Sequence, residues 1–145
     1  MQHDRFLSFI LVIVIATTFA TTYSISLWKH DVTMSDFTLS QSIDRSKSDD
    51  NLTMRIGQIG ISIAAFVLIL LEFSRKQEYV LQRMICTSVI AVLMVSVAFC
   101  PLSVSNSKHF TLATMFFASI MVYTLMFAFL TRNPLVYCLL LTQVV

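Results

Sequence analysis

Arg55–Lys76, RIGQIGISIAAFVLILLEFSRK, is the stretch whose reading decides the fold. It holds the only two glycines of the 145-residue chain, Gly57 and Gly60, and no charge from Ile56 to Leu71. A bilayer core of about 30 Å needs about 20 apolar residues in a helix rising about 1.5 Å per residue. With Met54 and Phe73–Ser74 added at its ends, the run reaches that length. Inside such a helix the glycines cannot serve turns. Gly57, Gly60 and Ala64 fall at i, i+3 and i+7, on one helical face, and Gly60-x-x-x-Ala64 is a small-xxx-small pair of the kind that lets another helix approach closely.

The same reading repeats on both sides of this stretch. Phe6–Trp28, Met84–Ser107 and Phe110–Thr131 are also free of Asp, Glu, Lys and Arg. We expect helices near 6–28, 54–74, 84–104 and 110–131. Composition agrees: 57% of residues are hydrophobic and 12% charged, where a soluble domain carries about 25% charged residues. A soluble domain this small could not hide so much apolar surface. Spanning helices satisfy their own backbone hydrogen bonds and leave little chain for turns, in keeping with 2 Gly and 2 Pro. The expected fold is a single all-α transmembrane domain, an integral membrane four-helix bundle. It carries a polar first exterior loop, 29–53, and a short apolar C-terminal segment, 134–145. Leu135–Val145 is about half a span; it could lie in the interface, re-enter, or begin a fifth helix of a longer chain.

The first run also has the outline of a signal peptide cut after Ala20. Its continuation through Leu27 and Trp28, with Trp at an interface position, favours a retained helix. Lys and Arg divide evenly between the two sides, with Lys29, Arg45, Lys47, Arg55 and Lys108 on one and Arg5, Arg75, Lys76, Arg83 and Arg132 on the other. Arg75, Lys76 and Arg83 crowd a short turn, which places that side and both termini in the cytoplasm. The exterior loop is rich in Ser, Thr and Asp and lacks a folding period. Asn51-Leu52-Thr53 in it matches the N-glycosylation sequon, with Asn51 as acceptor only a few residues from the second helix.

Ionisable side chains inside a span mark ion paths and ligand sites, and the expected spans hold no Asp, Lys, Arg or His in their interiors. Glu72 comes nearest, at the cytoplasmic end of the second helix. Three and four residues before Arg75 and Lys76, it is placed for an interfacial ion pair. His3, His30 and His109 have no partner at metal-ligand spacing. Cys86, Cys100 and Cys138 are scattered in apolar sequence, and the exterior loop has none for a disulfide. No catalytic, cofactor or metal site is expected. The packing residues Gly57, Gly60 and Ala64 are the candidate site, with a second small-residue surface on the first helix at Ala16, Thr17, Ala20, Thr21 and Ser24. Pro101 is expected to kink or end the third helix. The partners these features suit are the lipid bilayer and a membrane-protein partner, not nucleic acid.

Claudins and tetraspanins also have four helices, but the cysteine motifs of their exterior loops are missing here. Ser62-Ile63-Ala64-Ala65-Phe66, the turn Arg75-Lys76-Gln77 after it, and the stretch from His109 to Tyr123 resemble the second helix, cytoplasmic turn and fourth helix of the damage-regulated autophagy modulator (DRAM) family. The resemblance covers roughly half the chain. The family's first-loop motif would fall on Leu39-Ser40-Gln41-Ser42-Ile43, which lacks its Asp and Gly, and its fifth and sixth helices have no counterpart beyond the segment after Pro134. The resemblance implies an endomembrane or lysosomal protein, rather than one of the plasma membrane, that affects autophagy or membrane-lipid handling. With the packing motifs and the missing catalytic groups, it leads us to expect a non-enzymatic membrane protein that modulates autophagy or membrane traffic. The alternative is an accessory subunit of a channel, transporter or lipid-modifying enzyme.

Overall fold

A computed structural model describes residues 2–30, 52–75, 79–100 and 105–131. It has four α-helices: α1 Gln2–His30, α2 Leu52–Ser74, α3 Val80–Phe99 and α4 Asn106–Thr131. The described residues contain no strand. All four helices are long and apolar enough to cross a membrane. The expected loop 29–53 and tail 134–145 lie almost entirely outside the described residues.

Two boundaries of α3 differ from the expected 84–104. The helix begins at Val80 rather than after the last charge, so Arg83 lies in its first turn. It ends at Phe99 rather than near 104. Cys100, which precedes Pro101, has φ −114° and ψ 77°, outside the helical region. The proline ring clashes with a helical residue before it, which is why the helix stops there. The other end departs from a left-handed Tyr79, φ 61° and ψ 34°, whose carbonyl accepts the first helical bond from the Arg83 N–H at 3.1 Å.

The helices stand in a row rather than in a closed bundle. α1 packs on α2, α2 on α3 and α3 on α4; among the described residues, no Cα of one helix comes within 8 Å of a helix that is not its neighbour in sequence. Two helices therefore have neighbours on both sides, and α1 and α4 have one each. The buried apolar residues are mostly small: Ala64 and Ala65 on α2, Ala91 and Ala98 on α3, Ala128 on α4. Large side chains point out of the row, among them Phe9, Phe66, Leu81, Phe117 and Phe129. Water would penalise that arrangement. It is the usual pattern where lipid surrounds the helices, because close backbone packing then drives association in place of the hydrophobic effect.

Candidate functional site

Gly57, Gly60 and Ala64 are all buried on α2. Gly60 faces Thr18 of α1. A Cβ built on it would sit against the Thr18 hydroxyl and 2.8 Å from the Thr18 Cβ. Rotation about χ1 leaves the Thr18 Cβ in place, so neither of the rotamers open to a helical threonine would relieve that contact. Its hydroxyl donates to the Val14 carbonyl at 2.6 Å, and that of Thr22, fully buried one turn on, to Thr18 at 2.9 Å. Each hydroxyl is thus satisfied by its own helix, leaving a smooth, dry surface for the glycine. The residues of α1 that meet α2 are not those expected. Ala16, Thr17, Ala20, Thr21 and Ser24 are exposed, while Thr18 and Thr22 are buried. Both sets repeat every four residues, so spacing alone could not choose between them.

The second feature is a charged cluster where α2 meets α3. Glu72 is 5% and Arg83 2% exposed, and they form an ion pair across the α2–α3 turn. Arg75 approaches the other Glu72 oxygen at 3.7 Å. The expected pairing of Glu72 with Arg75 is therefore secondary to one with Arg83, and Lys76 lies outside the described residues. Arg83 and His109, which the sequence reading left outside the expected spans, lie in the first turns of α3 and α4 and are buried there. From the other side, α4 covers the guanidinium. The Arg83 Cζ lies 5.6 Å from the centroid of the Phe127 ring, and the Tyr123 hydroxyl is near enough to the same guanidinium to interact with it as an acceptor. The Tyr123 and Phe127 rings stack at 6.2 Å and 16°. A cation against an aromatic face gains most where water is absent. Arg83 thus joins three helices.

The far end of α3 is held by its two neighbours in the same way. The last carbonyls of a helix have no partner within it. Here Gln58 of α2 donates to the Ala98 carbonyl at 3.3 Å, and the Nδ1–H of His109 on α4 donates to the Cys100 carbonyl at 2.6 Å. His109 is buried, which fixes its role as a cap rather than a surface charge. These contacts obey a simple register. Glu72–Arg83 and Gln58–Ala98 are both centred on Gln77–Glu78, and Arg83–Phe127 and Cys100–His109 both on Val104–Ser105. Antiparallel helices rising equally on either side of a turn bring together residues equidistant from it. That rule was the available signal for Arg83, which the count of charges treated as a loop residue.

Among the described residues, no group of three His, Cys, Asp or Glu is placed to hold a metal ion. Cys86 and Cys100 are half-buried thiols. Asn51 lies outside the described residues, directly before α2, and the Thr53 of its sequon is buried in the first turn of that helix. Comparison with known proteins adds no relative: no protein-family model, curated protein or solved structure matches the chain.

Three expectations follow from this geometry. Gly60→Leu forces α1 off α2 and lowers the unfolding midpoint in detergent, with an overpacking cost of roughly 1–3 kcal/mol or more; Ile59→Leu, on the exposed side, leaves it unchanged. Glu72→Gln strands a buried guanidinium and costs about 3–5 kcal/mol, and the double variant with Arg83→Gln recovers much of that loss, because neutral partners need no ionic compensation. Arg75→Gln, at the rim, costs under about 1 kcal/mol. Finally, glycosidase digestion leaves the electrophoretic mobility of the wild-type chain and of Asn51→Gln identical, since the acceptor sits at the very edge of a candidate span.

Proposed function

We propose that the chain is a non-enzymatic integral membrane protein that modulates autophagy or membrane traffic through helix–helix and lipid contacts. One observation carries the membrane part: four span-length helices bury small residues against one another and turn large apolar side chains outward. The charged and polar side chains of the two clusters are engaged between helices, which suits a scaffold. The orientation that the sequence suggests puts the α2–α3 turn, with Arg75 and Lys76, on the cytoplasmic side. The autophagy part, and with it an endomembrane or lysosomal location, rests on the likeness of Ser62–Phe66, Arg75–Gln77 and His109–Tyr123 to the damage-regulated autophagy modulators.

A second reading, an accessory subunit of a channel, transporter or lipid-modifying enzyme, is favoured by the open row. α1 and α4 each have a single helical neighbour, so either edge could take a partner helix. The two readings separate by imaging and purification. Tags at Met1 and at Val145 should both colocalise with a lysosomal marker, and depletion of the protein should change the lysosome-dependent turnover of autophagosome membranes. Plasma-membrane signal with a large partner co-purifying at fixed stoichiometry would replace the first reading by the second. Loss of the Met1 tag alone would show that the first segment is cleaved.

A further inference from the structure

The charged cluster holds two guanidiniums on one carboxylate. Arg83 is buried and pairs with Glu72, while Arg75 reaches the same carboxylate only at 3.7 Å and keeps a third of its side chain exposed. Over the whole segment from Glu72 to Arg83 the sequence has three basic residues against two acidic ones, a net excess of one positive charge. Arg75 stands immediately after the candidate span Leu52–Ser74, so the membrane reading puts it in the headgroup region that borders the hydrocarbon core. The same end of α2 and α3 exposes Phe73 at 70%, with Tyr79 and Leu81 beyond the turn. A basic group at headgroup depth beside exposed apolar side chains suits an amphiphile with an anionic head.

We propose that this end of the row binds an anionic phospholipid, with Arg75 donating to its phosphate. The guanidinium fork matches two phosphate oxygens at once, which an ammonium cannot do. Glu72 acts as the positioning residue: it holds Arg75 from one side while its charge is largely spent on Arg83. A zwitterionic lipid is a poorer ligand, because its own ammonium already balances the phosphate. The inference rests on the membrane reading above and specifies which lipid the protein contacts.

The test uses the full chain purified in non-ionic detergent, with thermal unfolding followed while phosphatidylglycerol, phosphatidylcholine or inorganic phosphate is added. Phosphatidylglycerol is expected to raise the midpoint by roughly 5 °C near saturation, with phosphatidylcholine and free phosphate well below that. Arg75→Gln should abolish the difference between the lipids, Arg75→Lys should keep part of it, and Arg55→Gln, exposed at the opposite end of α2, should keep all of it. Equal shifts with both lipids, an undiminished shift in Arg75→Gln, or the same shift from phosphate alone would each overturn the proposal. Carbonate extraction of cell membranes separates the two levels. Release of the chain would overturn the membrane reading, whereas retention without phosphatidylglycerol selectivity overturns the lipid site alone.

Discussion

A guanidinium that is 2% exposed between apolar helices needs a carboxylate, and in this protein the placement of three helices follows from meeting that need. The Coulomb attraction within a buried pair offsets the loss of hydration only when the geometry is close and the remaining donors are occupied. Glu72 provides the charge from α2, and Tyr123 and Phe127 provide a hydroxyl and a ring face from α4. Arg83, in the first turn of α3, is therefore shared by both neighbours. A shift of any one helix along its axis by a full turn, about 5.4 Å, would take its contribution out of reach. The pair thereby sets register as well as proximity.

The other end of α3 works by the same logic with neutral groups. Its terminal carbonyls have no helical partner, and side chains from the same two neighbours reach them. α3 is consequently held at both ends by polar contacts and along its length by small residues. The α1–α2 contact is of a different kind. Its hydroxyls are satisfied within α1, and what brings the helices together is the missing side chain of Gly60. Without a hydrophobic force between helices in lipid, close packing of this sort is the available source of attraction.

A good part of the architecture was legible from residues alone, and the parts that were not have definable causes. Span number and approximate position follow from charge-free apolar runs, since few structures satisfy a backbone in lipid. The face of α2 that is buried follows from Gly57, Gly60 and Ala64, because no other stretch offers so little side chain. The rotation of α1 was not legible, since small residues at Ala16 and Ala20 and hydroxyls at Thr18 and Thr22 mark two nearly opposite faces equally well. Arg83 was misplaced for another reason. Counting basic residues near helix ends treats each as a topological label, and such a count holds no information about what lies opposite. Neither end of α3 was placed from sequence: Pro101 was expected to kink or end the helix, but the expected bound ran on to 104, past the Cys100 that the proline excludes from the helix.

The sequence by itself determined that the chain makes four span-length helices and that α2 carries a close-contact face, because span length and the absence of a side chain are properties of single segments. Tertiary structure alone decided that the helices stand in a row and which face of α1 meets Gly60. It also decided that Glu72 belongs to Arg83 more than to Arg75. Those outcomes depend on which residues end up opposite one another across a turn. Neighbouring helices settle that by packing against each other, and no single helix encodes it.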